Sequence, residues 1–456
     1  MRKNLLFISY NFPPTGWSGS QRIVKFIKYL DKKRYKPIVL TVPKPAYSFR
    51  EKVRDECLLK DLPEDLEVLR VSEMSLDTFM KKSFKTLEEN SFDHLEGFVD
   101  ENRVSLNSFK EEAFLSFKKA ASACFQPDSN ILWVSSAIEE VEKLLERSRV
   151  DLIISSAPPY SSHLIAGHMK KKWGIPWIAD FRDSWLRNPI LDLEGMPAFC
   201  QDIERNLLLT CDKALFVTPK ILQMYRDQFP EKQDDFHLIY NGYDEDDFEK
   251  GAVNKDSAFT LMHMGTIYPS FMPAVACFLR GFKIFLSSFS KGEPDIKVLF
   301  QGWNYPEAEK QMRALVKDLK LEDHIFFEGY VPHKEAVSNL MQSHISLLFL
   351  GFSKKINSCA TGKVFEYARS GVPCLAFAPL DSDAISIFKN SNFYSLVSED
   401  NDVLVSESIE KLYLRYQKEP EWRLPSREAY QEFQRSYLTR KLELIVDKLV
   451  LNRACL

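Results

Sequence analysis

Short continuous apolar runs alternate with helix-patterned segments along this chain, and they do so in two separate series. In the first, runs at 4–9, 36–42, 151–156, 176–180 and 213–219 are interleaved with helix patterns at 20–30, 137–148 and 160–174. In the second, runs at 259–265, 297–302, 325–329, 345–350 and 373–378 are interleaved with helix patterns at 274–288, 305–319, 333–342 and 361–370. The runs are apolar throughout rather than alternating, as strands covered on both faces must be. Strand and helix in strict turn imply doubly wound parallel sheets. The expected fold class is therefore α/β, with two open sheets in tandem and a ligand cleft between their strand ends.

The polar stretch "DEDDFEKGAVNKDS" at 244–257 separates the two series. It sets the expected division into an N-terminal domain over 1–245, which carries a charged, helix-like insertion at about 73–126, and a C-terminal domain over 256–418. A final amphipathic helix within 425–456 presents Leu438, Leu442, Ile445 and Leu449 on one face.

Sixty-one basic and 64 acidic residues leave a net charge of -3. No global field draws such a chain to nucleic acid, so no nucleic-acid partner is expected. The eight cysteines are scattered, with none at metal-ligand spacing; free thiols and a cytoplasmic protein are the expectation. The opening "MRKNLLFISYNFPP" reads as a first strand rather than a signal peptide. Apolar runs such as "ISLLFL" fall far short of the ~18 residues of a spanning helix, so no membrane crossing is expected. "KKK" at 170–172 and "FKKAASACF" at 117–125 set cations beside apolar residues. That pattern fits either peripheral contact with an anionic membrane or a solvated helix face.

Two loops carry the chemistry. "PPTGWSGSQR" follows the first strand and opens a helix, but fits neither G-x-G-x-x-G nor G-x-x-x-x-G-K-[ST]. Gly16 and Gly19 allow close backbone approach, and the helix start favours an anion; an ordinary strand-to-helix turn is the alternative. In "CATGKVFEYARSGVP", Thr361 is a candidate N-cap, Gly362 leaves the first turn open, and Lys363 adds a cation for a diphosphate. Glu366 lies on the same helix face by i, i+3 spacing, where a carboxylate can accept ribose hydroxyls. A solvated Lys–Glu pair is the alternative. "ADFRDSW" brings Asp180, Arg182 and Asp183 to a strand end, either for sugar hydroxyls and an acceptor proton or as an ion-paired loop.

Together with "DLIISSAPPYSSHLIAGHMKKKWGIPWIADFRDSW", "IYNGYDEDDF" and "HMGTIY", these segments resemble the retaining GT-B glycosyltransferases of glycosyltransferase family 4, in the bacterial polysaccharide-assembly branch. The similarity runs in order along nearly the whole chain. It implies two Rossmann-like domains, with a nucleotide-diphosphate sugar held mainly by the second and a glycan or lipid-linked acceptor held mainly by the first. It also implies a last helix that crosses back to the first domain. By position, Gly16 and Gly19 face the diphosphate and sugar, Gly265 and Thr266 lie beneath the diphosphate, and Gly329, Tyr330 and Val331 meet the base. Glu366 matches the ribose carboxylate and Lys363 serves the phosphates.

Two departures stand out. Ser358 occupies the place of the first carboxylate of the family's pair, and Phe271 lies where an arginine for the diphosphate is common; Lys354, Lys355 or Arg280 are candidate substitutes. His163 is a candidate sugar contact or a capped surface histidine, while His168, His263 and His344 read as structural. The candidate catalytic group is thus Lys363, Asp180, Asp183 and His163, with Arg182 for the acceptor or sugar. No metal and no cofactor beyond the donor substrate is expected, since "DSD" at 381–383 lies past its strand and reads as a cap. The alternatives are a non-catalytic sugar-nucleotide sensor or an epimerase on the same fold. A dehydrogenase is disfavoured by the missing G-x-G-x-x-G.

Overall fold

In the computed structural model, residues 2–43, 53–72, 127–188, 198–248, 258–289, 294–388, 394–419 and 430–451 are described. The expected insertion at 73–126, the cationic stretch 117–125 and most of the 244–257 linker lie outside them.

The first sheet is entirely parallel and seven-stranded. In chain order its strands are β1 (Lys3–Ser9), β2 (Tyr35–Thr41), β3 (Glu67–Arg70), β4 (Leu152–Ala157), β5 (Trp177–Phe181), β6 (Lys213–Phe216) and β7 (Phe236–Leu238). Their spatial order is β3-β2-β1-β4-β5-β6-β7. The order reverses between β1 and β4, paired from Leu5↔Leu152 to Ser9↔Ser156. That switch point is where an open sheet of this kind forms its crevice. Helices α1 (Ser18–Tyr29), α2 (Val134–Arg147), α3 (Ser161–Trp173), α4 (Ala198–Thr210) and α5 (Pro219–Gln228) complete this half.

The second sheet is six-stranded, in the order β10-β9-β8-β11-β12-β13. Its strands are β8 (Phe259–Met264), β9 (Ile296–Gln301), β10 (Ile325–Gly329), β11 (Ile345–Phe349), β12 (Cys374–Phe377) and β13 (Tyr394–Val397). All are parallel, with the switch between β8 and β11. Helices α6 (Met272–Ser287), α7 (Pro306–Asp318), α8 (His333–Gln342), α9 (Gly362–Ser370), α10 (Asp383–Phe388) and α11 (Asp402–Lys418) flank it. The fold is thus α/β with two Rossmann-like sheets.

The last helix, α12 (Arg435–Leu451), returns to the first sheet. Leu438, Leu442, Ile445 and Val446 are buried with Leu5, Phe7, Ile23 and Ile154 in one apolar cluster. Each such side chain contributes about 1.5–3 kcal/mol on burial, enough to hold the arm against the distant domain.

Pro269–Ser287 is the one described helical stretch long and apolar enough to span a bilayer, and 61% of it is buried. Phe278, Phe282 and Phe285 enter the core of the second domain, with Val405 and Ile409 of α11 in the same cluster. The sequence reads a helix here at 274–288, and its high apolar content is that of a helix packed into a protein core. The described cysteines are free thiols.

Candidate functional site

The carboxyl ends of the two sheets face each other across a cavity of about 470 Å³. Direct contacts close its edges. The Thr218 hydroxyl donates to the Ser358 carbonyl at 3.0 Å, the Lys220 N–H to Asp383 at 2.9 Å, and the His333 N–H to Asp55 at 2.9 Å. Trp17 meets Trp303 edge to face, with centroids 6.3 Å apart.

Gly16 holds its place because of the opposite domain. A Cβ there would lie 1.9 Å from the Tyr330 hydroxyl. Gly19 does not line the cavity; a Cβ there would lie 2.1 Å from Arg182 Nη1. Its smallness admits the arginine rather than a ligand, which corrects its assignment as a direct donor contact.

Across the cleft, α9 begins at the cavity. Thr361 is its N-cap residue, but the side chain makes no capping bond, and its hydroxyl oxygen is buried without a partner. Lys363 reaches back over Gly265, where a Cβ would come within 3.1 Å of Nζ. Its Nζ is 3.2 Å from His263 Nε2, while His263 Nδ1 is 2.9 Å from the Leu347 carbonyl. A carbonyl can only accept, so Nδ1 carries the proton and Nε2 accepts from the ammonium. Burial, then the Lys363 charge, hold the His263 pKa well below its ordinary value. Burial likewise lowers Lys363 to about 8. A neutral imidazole thus aims a poorly solvated cation at the cavity beside a helix N-terminus.

Glu366 and Lys363 do not pair with each other. Glu366 Oε1 lies 3.1 Å from His333 Nε2, which is also 3.5 Å from Asp247. Burial alone would lower His333, but Glu366 and Asp247 prevail and raise it to about 10. Asp247 and Asp61 hold the Lys25 ammonium at 3.0 Å and 2.7 Å. The Asp61, Asp244 and Asp247 cluster is therefore filled by a cation of the chain itself; Arg280 plays the same part for Asp400 and Asp402. Arg435, at the start of α12, lines the Glu366 end of the cavity. Its Nη1 is buried without a partner.

Two candidate catalytic residues are corrected. Asp180 is fully buried beneath the loops: it takes Arg22 Nη2 at 2.8 Å and Nε at 3.0 Å, and the Ser156 hydroxyl at 2.8 Å. With its oxygens occupied and no face on the cavity, it anchors α1 to β5. His163 is equally buried, 2.7 Å from Ser155 by Nδ1 and with Phe181 at a 4.5 Å centroid distance. Burial lowers it to about 3. It is a neutral core residue, neither a sugar contact nor a surface cap.

Asp183 and Arg182 do line the cavity. Burial raises Asp183 to about 6 against the opposing Arg182 charge. Thr266, Tyr330, Val331, Gly362 and Ser358 also line it. Gly329 lies just behind, at φ 70°, with open space where a Cβ would go. Phe271 packs on Tyr268 at 5.3 Å, in the lining. None of the suggested substitutes for a cation there fits: Arg280 is committed to Asp400 and Asp402, and Lys354 and Lys355 are exposed away from the cavity. Asp383 of the "DSD" stretch caps the first turn of α5 through the Lys220 N–H. Lys170 and Lys172 are engaged by Asp212 and Glu142.

In the sequence His263 reads as structural, and His333, Arg435, Asp55, Trp17 and Trp303 do not stand out. Their signal is a spatial convergence of distant segments, and no local pattern announces it.

Residues 108–247 match the model of Glycosyltransferase Family 4. No protein of curated function matches the chain by sequence. Among solved structures, Anabaena Alr3699/HepE in complex with UDP and glucose is similar at a TM-score of 0.63 and 12% identity, covering 98% of this chain and 100% of that one. Sucrose-phosphate synthase from Thermosynechococcus elongatus gives 0.62 and 12%, over 99% and 100%. WaaG, a glycosyltransferase involved in lipopolysaccharide biosynthesis, gives 0.61 and 12%, over 97% and 99%. The fold is that of these GT-B proteins, and within it residues 108–247 are similar to Glycosyltransferase Family 4.

Proposed function

We propose that this chain transfers a sugar from a nucleotide-diphosphate donor to a glycan or lipid-linked acceptor, with retention of configuration and without a metal. The observation that carries the reading is the start of α9. There Lys363, aimed by a neutral His263 over Gly265, meets the open helix terminus at one wall of an interdomain cavity. Breaking the bond from the anomeric carbon to the diphosphate leaves negative charge on the leaving group, and fixed donors placed there act where that charge develops. HepE, of the same fold, was solved with UDP and glucose, which supports a donor of this chemistry. Glu366 lies one turn from Lys363, suited to ribose hydroxyls once His333 shares it.

The acceptor oxygen forms its bond to the anomeric carbon as the diphosphate departs, and the acceptor proton passes to the departing phosphate oxygen. Asp183, on the facing wall, is placed to accept a hydrogen bond from the acceptor. Asp180 and His163 take no part. In the resemblance this chemistry serves polysaccharide assembly at the inner face of a membrane, and a lipid-linked acceptor would bring the chain there.

Melting the full chain with UDP-, GDP-, ADP- and dTDP-linked sugars tests the reading, because a ligand of the folded state raises Tm. One set should do so, and Lys363→Met should abolish the shift. A chain stabilised by none of them does not bind such donors. A non-catalytic binder is favoured by Ser358 and Phe271; stabilisation without sugar transfer would select it.

A further inference from the structure

Arg182 follows β5 on the first-domain wall of the cavity and is 8% exposed. Two of its nitrogens are fixed by neutral carbonyls: Nε donates to Ala157 at 3.2 Å, and Nη2 to Pro158. Nη1 is buried without a partner and lies against Gly19, in the first turn of α1. No side chain caps α1, and its first turn has no acidic residue. The neighbouring α3 differs, because the Asp128 carboxylate accepts from the Ser161 N–H at 2.7 Å and already serves its start. The hydroxyls of Ser20 and Ser162, in these two first turns, are also buried without partners. Asp180, whose charge also acts on Arg182, is taken by Arg22. Among the described residues Asp183 is the other acidic group acting on the guanidinium, and no hydrogen bond joins the two.

A desolvated guanidinium held by neutral groups, next to an uncapped helix start, lacks an anion. The donor diphosphate of the reading above belongs to the opposite wall, at Lys363 and α9. We propose that Arg182 and the first turn of α1 form a second phosphoryl site, and that the acceptor is a phosphate- or diphosphate-bearing molecule bound there. This rests on the donor assignment made above. The acceptor phosphate orients the nucleophile and takes no part in bond breaking. Gly19 then has a physical reason: any side chain there displaces the arginine.

The test uses the full chain saturated with whichever of UDP, GDP, ADP or dTDP stabilises it. Inorganic pyrophosphate is then titrated in by calorimetry. Binding of pyrophosphate to the saturated chain is expected, weakened about 10-fold or more by Arg182→Gln, with nucleotide affinity unchanged. Asp183→Asn, which removes a competing carboxylate, should strengthen it several-fold. No pyrophosphate binding to the saturated chain, or equal binding by wild type and Arg182→Gln, overturns the proposal. So does an Arg182→Gln protein that loses nucleotide affinity as Lys363→Met does, since Arg182 would then serve the donor. An unchanged affinity in Asp183→Asn also counts against it. A chain that binds none of the nucleotides overturns the donor reading and, with it, the second-site assignment.

Discussion

Replacing Lys363 by methionine keeps the length and apolar stem of the side chain and removes its charge. The ammonium has one neutral partner, His263 Nε2 at 3.2 Å, and no carboxylate bonded to it, so the substitution strands no buried counter-charge. The loss falls on the ligand. A hydrogen bond to a charged group contributes about 1.5–3 kcal/mol, so nucleoside-diphosphate affinity should fall roughly 10- to 150-fold. The pH dependence is the sharper signature. In the free protein Lys363 titrates at about 8, so it is roughly nine-tenths charged at pH 7 and one-tenth at pH 9. A bound diphosphate favours the charged form and raises that pKa. Wild-type affinity should therefore be highest below pH 8 and fall above it, by up to about tenfold per pH unit. The phosphate itself is already ionised across this window. Calorimetry from pH 7 to 9.5 reads both effects: a falling affinity for wild type and a weak, flat profile for Lys363→Met. Equal affinities, or the same slope in both proteins, would refute the role given to Lys363.

Gly16→Ala should drive the Tyr330 hydroxyl away, weaken nucleotide binding and lower Tm, with Tyr330→Ala restoring much of both; strict additivity in that double-mutant cycle would show that the two do not meet. Asp180→Asn leaves Arg22 buried and half-paired, so urea denaturation should show a loss of about 3–5 kcal/mol while the folded protein keeps its nucleotide affinity. Full stability with abolished transfer would instead restore Asp180 to catalysis. His333 is raised to about 10 in the folded chain, so its contribution to stability is complete below about pH 6.5 and lost as pH rises through about 10. Urea midpoints should decline across that window in wild type and less steeply in His333→Gln; parallel declines would exclude His333 as the source.

What the sequence shows depends on how far apart the cooperating residues lie. The buried central strands β1, β4, β8 and β11 are continuous apolar runs and read directly. The edge strands β3, β7 and β13 do not: each is short, and β3 and β7 are mostly half-buried, so no continuous apolar run marks them, whereas the equally short but buried β6 and β12 read directly. Both cavity loops are local strand–loop–helix units, so the glycine loop and the Lys363 turn are legible. Their partners are not. His263 lies 100 residues from Lys363, and Arg22 lies 158 from Asp180. The Asp180 carboxylate looks available for chemistry until the helix carrying Arg22 folds over it. Thr361 shows the converse: its residue type promises a capping bond, yet its hydroxyl is left without a partner beside the cavity.

The central claim is sugar transfer from a nucleotide-diphosphate donor by this cleft. It is tested most directly by incubating the full chain with the stabilising nucleotide sugar and a phosphate-bearing glycan or lipid acceptor, and following the anomeric proton by NMR. The account predicts consumption of the donor, release of the nucleoside diphosphate, and a product of the donor's own anomeric configuration. Glu366→Gln and Lys363→Met should be slower by about 10²–10³. An inverted product would contradict the retaining chemistry, and rates unchanged in the two variants would contradict the site itself.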